Sequence, residues 1–143
     1  MWRFKRFLLP LTTTIVIILI FRFVLLLGYV PTSSMEPTIM KDSLFIGFRI
    51  HGDLTRSDVV AFRRDGALHV KRIAAVPGDM VYINDTEKAV TINQPAITAT
   101  RILDVPAGYF FVLGDNQDNS IDSRYWDDPF VLQSDIVARI PKP

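Results

Sequence analysis

The chain contains no cysteine, only two histidines and, before residue 30, no acidic side chain. The first absence excludes disulfides, thiolate nucleophiles, zinc–cysteine sites and iron–sulfur clusters, and it leaves the redox compartment unreadable. The second confines any serine–histidine–aspartate arrangement to His51 or His69. The third makes the charge lopsided. Arg3, Lys5, Arg6 and Arg22 precede residue 30, while the remainder, with 12 basic against 15 acidic residues, is net −3. A mildly acidic body has no electrostatic reason to seek nucleic acid, whereas early positive charge suits a membrane flank. What is present is apolar and aromatic: 49% hydrophobic residues, with 10 Phe, 4 Tyr and 2 Trp, in 143 residues. That composition excludes a disordered chain, and the length holds one compact domain plus a short extra element.

The extra element is the run from Phe7 to Val30, in which 18 of 24 residues are apolar. As a helix rising ~1.5 Å per residue it covers about 36 Å, against a hydrocarbon core of about 30 Å. Arg22, eight residues from the end of the run, is placed to snorkel to the headgroups. The flank Trp2-Arg3-Phe4-Lys5-Arg6 is basic and no Lys or Arg follows Arg22 until Lys41, which puts the amino terminus in the cytoplasm and residues 31–143 outside. A cleaved secretory signal has a shorter apolar region, about 7–15 residues, before a small-x-small site. The run here ends Leu27-Gly28-Tyr29-Val30-Pro31 and reads as an uncleaved anchor.

Beyond Pro31 short β-branched or aromatic segments alternate with Gly, Pro, Asp and Asn. The predicted strands are Ser43–Ile50, Asp58–Phe62, Ala67–Val76, Met80–Ile83, Ala89–Ile92, Tyr109–Leu113 and Asp135–Ile140. Turn signals separate them at Gly52-Asp53, Asp65-Gly66, Pro77-Gly78-Asp79, Pro106-Ala107-Gly108 and Gly114-Asp115-Asn116. The expected organisation is an anchor over 1–30 and a mainly β, antiparallel domain over 31–143.

Three polar stretches carry potential chemistry. Pro31-Thr32-Ser33-Ser34-Met35-Glu36-Pro37-Thr38 is either a plain juxtamembrane linker or a constrained loop with a serine nucleophile, which needs a nearby base. Ala67–Val76 places Lys71 within an otherwise apolar strand, two residues after His69, with Arg72 on the opposite face. If Lys71 faces the core, burial disfavours its ammonium form and makes a neutral amine available. The stretch Gly114–Arg124 is dense in short polar side chains. It fails as a calcium loop, since a loop starting at Asp118 meets Arg124 and then Pro129 where acceptors are required. A Ser-x-x-Lys motif is absent as well, because Glu36 and Pro37 follow Ser33 and Ser34 at that spacing.

Taken in order, Pro31–Thr38, Gly52-Asp53 with Asp58-Val59-Val60-Ala61-Phe62, His69-Val70-Lys71-Arg72-Ile73 with Pro77-Gly78-Asp79, and Gly114–Arg124 closely resemble the type I signal peptidases, membrane-bound serine–lysine endopeptidases with a mainly β catalytic domain. The resemblance implies Ser34 as nucleophile and Lys71 as general base. It further implies that the Thr32 hydroxyl and the Ser34 backbone N–H form the oxyanion hole, that Ser120 orients the lysine, and that Arg72, Asp122 and Arg124 form a supporting charged network. No metal or cofactor is implied. The substrate would be the signal peptide of a translocated preprotein held in the same bilayer, and the six residues from Gly28 to Ser34 would keep the site at the lipid surface. A specialised processing peptidase of the conjugative-pilin type and a silent membrane-anchored β binding module are the alternatives. Departures from the family pattern are Gln117 where Arg is common, Arg22 within the span, and the lack of the large insertion of longer members.

Overall fold

A computed structural model describes the backbone of residues 2–141 and the side chains of residues 8–141. The basic side chains Arg3, Lys5 and Arg6, on which the expected orientation rests, lie outside the described residues. Helix α1 covers Trp2–Phe23. It exposes Leu8, Leu9, Leu11, Ile15 through Phe21 and Phe23 on every side and contributes to no core cluster. Its threonines are internally satisfied, Thr12 and Thr14 donating to the carbonyls of Leu9 and Pro10. Among the described residues no helix is long and apolar enough to cross a membrane.

The helix stops seven residues short of the end of the apolar run. Leu25–Val30 form strand β1, which pairs residue by residue with β2, Ser43–Phe48. Helix and buried strand cannot be told apart in a continuous apolar run by periodicity alone, and here the partner strand decides. Leu26 and Val30 point inward onto Phe45, Met35 and Val59, and Gly28 lies directly under the Phe45 ring. A Cβ at Gly28 would overlap that ring, so Gly28→Ala is expected to cost about 1–3 kcal/mol of stability through overpacking. Thermal unfolding of the variant beside the parent chain measures it.

The remaining strands are β3 (Val59–Arg64), β4 (Ala67–Ala75), β5 (Met80–Asn84), β6 (Ala89–Ile92), β7 (Arg101–Asp104), β8 (Tyr109–Leu113), β9 (Phe130–Leu132) and β10 (Ile136–Ile140). They build a seven-stranded sheet ordered β1-β2-β10-β3-β4-β8-β9 and a three-stranded sheet ordered β6-β5-β7, all neighbours antiparallel. The mainly β, antiparallel expectation holds. Strands β1, β7 and β9 are absent from the sequence reading. Two apolar clusters lie on opposite faces of β3, one around Val60 and Phe62, the other around Val59 and Ala61, and a third joins the small sheet through Val81, Ile83 and Phe111.

The Pro77-Gly78-Asp79 turn links the two sheets. The Asp79 carboxylate accepts from Arg56, the Val76 N–H and the Asn93 amide, and the Arg56 guanidinium above all holds it down at about 2.

Candidate active site

Ser34 lies in the loop after β1. Met35 is fully buried beside it and accepts the Ile39 N–H on its carbonyl, while Asp42 N–H bonds back to the Val30 carbonyl, so the loop is held at both ends. Lys71 sits on β4 opposite Val60 of β3. Alternation sends Lys71 inward and Arg72 to the other face. The Lys71 amine lies 2.7 Å from Ser34 Oγ, and both residues are buried, 4% and 6% exposed. The structure thus brings together a hydroxyl and an amine 37 residues apart in sequence.

Burial is the main influence on Lys71, and it lowers the amine below its ordinary 10.5. Asp122 and Asp115 pull the other way, and Arg124 reinforces the lowering. Such an amine becomes a proton acceptor at lower pH than a solvated lysine.

Thr32 Oγ1 stands 3.3 Å from Ser34 Oγ, on the loop side of the pair. Ser34, Lys71, Thr32 and His69 line a cavity of about 170 Å³ whose other walls include Tyr29, Val30 and Met35. His69 stacks on Phe62 with ring centroids 5.6 Å apart and presents an edge to Trp126, and burial holds its imidazole below the usual range.

The Gly114–Arg124 loop lies against the serine loop, outside the residues that line this cavity. Asp122 is fully buried and accepts from Ser120 Oγ at 2.7 Å, from Gly114 N–H at 2.9 Å and from Arg124 Nε at 2.8 Å. Arg124 also donates to the Gln117 carbonyl at 2.9 Å, folding the loop upon itself. Asn116 N–H donates to the Ser34 carbonyl at 3.0 Å and ties this loop to the serine loop.

Ser120 donates to Asp122, and among the described residues the hydrogen-bond partner of the Lys71 amine is Ser34. Arg72 does not join Asp122 and Arg124. It forms a separate bidentate pair with Asp115, at 2.7 and 2.6 Å, and donates to Thr38 Oγ1. The physical reason is strand alternation, which carries Arg72 to the opposite face.

Asp115, Gly114 and Arg101 are the contributors that sequence reasoning missed. Asp115 was visible only as part of a turn. Arg101 of β7 donates to the Arg124 carbonyl at 2.8 Å while pairing with Asp85, which links the small sheet to the Gly114–Arg124 loop. No sequence spacing announces that contact.

A β scaffold carrying a buried serine–lysine pair at the mouth of a small cleft defines the class of this protein. The family described as "Signal peptidase, peptidase S26" matches residues 3–104 and 95–142. The chain belongs to that family. It is 34% identical over 148 residues to "Probable signal peptidase I-2" of Synechocystis, covering 90% of this chain and 66% of that protein. It is 34% identical to signal peptidase I U of Bacillus subtilis over 64% of this chain and 61% of the relative. With mitochondrial inner membrane protease subunit 1 of Schizosaccharomyces pombe it shares 31% identity over 75% of this chain and 68% of that protein. The chain thus spans less than two thirds of the length of the Synechocystis and Bacillus relatives.

Proposed function

We propose that this protein is a membrane-anchored serine endopeptidase that removes signal peptides from translocated preproteins, with Ser34 as nucleophile and Lys71 as general base. The observation that carries the reading is the buried 2.7 Å contact between the Lys71 amine and Ser34 Oγ. In the neutral amine state the hydroxyl donates across this contact, and its proton passes to Nζ as Oγ attacks the scissile carbonyl. The developing oxyanion is met by the Ser34 N–H and the Thr32 hydroxyl, a donor pair of a kind worth about 3–4 kcal/mol per donor. The protonated Lys71 then supplies the leaving amine with its proton. Water, activated by the same nitrogen, hydrolyses the acyl-enzyme.

Two strand edges suit an extended substrate. β1 ends the large sheet, and β4 meets β8 only from Arg72 onward, so Ala67–Lys71 has one open side. Tyr29–Thr32 and Leu68–Lys71 face each other across the cavity. A peptide backbone laid between them gains main-chain hydrogen bonds on either side. The small cavity next to Ser34 favours short side chains before the scissile bond.

The anchor in this reading is the apolar amino-terminal segment; α1, although by itself not long and apolar enough to cross a membrane, exposes apolar side chains on every side among its described residues. The anchor would lie in the cell membrane with its amino end in the cytoplasm and the β domain outside, the junction falling at Val24 rather than after Val30. Asp122, Arg124, Ser120 and the Arg72–Asp115 pair keep the Gly114–Arg124 loop in place. The test uses the full chain in vesicles with a preprotein. Ser34→Ala is expected to cut cleavage by at least about 10⁴-fold, and a reactive ester is expected to acylate Ser34 but not Ser33. Unchanged cleavage by Ser34→Ala overturns the reading.

A further inference from the structure

The small sheet closes on Arg124 from two sides. Arg101, the first residue of β7, donates from Nη2 to the Arg124 carbonyl at 2.8 Å, and the Lys88 carbonyl in the β5–β6 turn accepts from Arg124 Nη1 at 3.3 Å. Arg101 is itself aimed. Its Nε donates to both carboxylate oxygens of Asp85, at 3.0 and 2.9 Å. Asp85 is fixed in turn by Thr100, whose hydroxyl donates to the carboxylate and accepts the Asp85 N–H. Lys88 Nζ lies 3.7 Å from the same carboxylate and 5.1 Å from the centre of the Tyr125 ring.

Stability gives this arrangement little purpose. The Arg101 and Asp85 side chains are 33% and 38% exposed, where an ion pair contributes little. The small sheet is already held to the large one by a core of Val81, Ile83, Val105 and Phe111, to which neither residue belongs. What the pair reaches instead is the support of the nucleophile. Arg124 is buried and meets both oxygens of Asp122, at 2.8 and 2.9 Å. Asp122 accepts the Gly114 N–H at 2.9 Å, and Gly114 presses on the Ser34 carbonyl, which also accepts the Asn116 N–H at 3.0 Å.

We infer that Arg101, aimed by Asp85, is a positioning residue of the peptidase site and sets the Ser34 loop through Arg124, Asp122 and Gly114. The inference rests on the proposed endopeptidase reading and extends its machinery into the small sheet. An arginine is required here, and not merely a positive charge. Its planar fork places Nε on the carboxylate and Nη2 on the carbonyl at the same time, which a lysine ammonium on a flexible stem does not reproduce. The effect falls on the chemical step. The cavity beside Ser34 is lined by residues of the Tyr29–Met35 and Leu68–Lys71 segments, so the contact path meets it only at Ser34. Loosening the path leaves the substrate cleft intact and disturbs the alignment of the hydroxyl with the Lys71 amine.

The test compares Arg101→Met, Arg101→Lys and Asp85→Asn with the parent full chain in vesicles. Ile102→Ser, at an exposed neighbouring position on β7, is the control. A misplacement of about 1 Å at a reacting group costs about 10²-fold, and a shift relayed through a loop is smaller, so Arg101→Met is expected to lower kcat for preprotein cleavage about 10-fold. KM and melting temperature are expected to stay nearly unchanged. Titration with a reactive ester is expected to acylate Ser34 in every molecule but more slowly by the same factor, which makes the loss one of rate and not of folded protein. Arg101→Lys is expected to remain as slow as Arg101→Met, Asp85→Asn to fall between Arg101→Met and the parent, and Ile102→Ser to match the parent. Parental kcat in Arg101→Met overturns the inference. So does full rescue by Arg101→Lys, a loss confined to KM, or a loss equal to the fraction of molecules that no longer acylate. Should Arg101→Met not fold, Asp85→Asn decides alone, with parental kcat against the inference and a fall at constant KM for it. Failure of the peptidase reading has another signature: the parent chain itself leaves the preprotein uncut and Ser34 unacylated.

Discussion

Lys71→Met is expected to abolish preprotein cleavage, with a loss of at least about 10³-fold, and at the same time to raise thermal stability at neutral pH. The first effect follows from removing the nitrogen 2.7 Å from Ser34 Oγ, since an unassisted serine hydroxyl is a poor nucleophile. The second follows from linkage. Burial holds the folded-state value of Lys71 below the ordinary 10.5. Between those two values the unfolded chain carries a proton that the folded chain lacks, so the lysine lowers stability progressively as pH falls through that window. Methionine fills similar space and carries no such cost. The stability gap between the variant and the parent is therefore expected to be widest at neutral pH and to close toward pH 10.5, as calorimetry at several pH values would show. The parent kcat/KM should rise with pH along a one-proton limb whose midpoint lies below 10.5. A rate that stays flat across that range, or a Lys71→Met variant that still cleaves, removes Lys71 as the base.

Gly114→Ala is expected to lower cleavage by about 10²-fold although the residue carries no chemistry. A Cβ at Gly114 would stand 2.6 Å from the Ser34 carbonyl oxygen and 2.5 Å from Ser120 Cβ, contacts too short for either to remain in place. The glycine cannot retreat, because its N–H is bonded to the buried Asp122 carboxylate at 2.9 Å. Relief must come from the serine loop, and a displacement of about 1 Å in a reacting group is enough for a loss of that size. The expected signature is a fall in kcat at nearly unchanged folding, because the overlap falls on the loop and not on the sheet. Wild-type kcat in a well-folded Gly114→Ala variant would show that the Ser34 loop is not held by this contact.

The two arguments draw on different levels of information. Ser34 and Lys71 are singled out by the ordered motifs that resemble the type I signal peptidases, since a hydroxyl-rich loop or a strand lysine taken alone is ordinary. The position of Gly114 has no such mark; it reads as a turn residue, and only the approach of Ser34 and Ser120 from distant parts of the chain gives it a role. The same holds for Asp115, whose partner Arg72 is 43 residues away. Gln117, a departure from the family pattern, enters the site through its backbone carbonyl, which any residue supplies.

Among the strands, those missed are short or lie where their pattern is ambiguous. β9 has three residues, too few for an alternation to register, and the four of β7 begin and end on a charged side chain, Arg101 and Asp104. β1 is concealed inside an apolar run that meets the requirements of a helix equally well. Its strand character comes from β2, which offers hydrogen bonds along six residues and the Phe45 ring over Gly28.

By itself the sequence determined the mainly β character of the body and the apolar amino-terminal segment, because these depend on local periodicity; it singled out Ser34 and Lys71 only through the resemblance of its ordered motifs to the type I signal peptidases. The tertiary structure decided where the helix gives way to the sheet, which carboxylate each arginine meets, and that the amine reaches the hydroxyl. Those are distances between residues far apart along the chain, fixed by strand register and by burial.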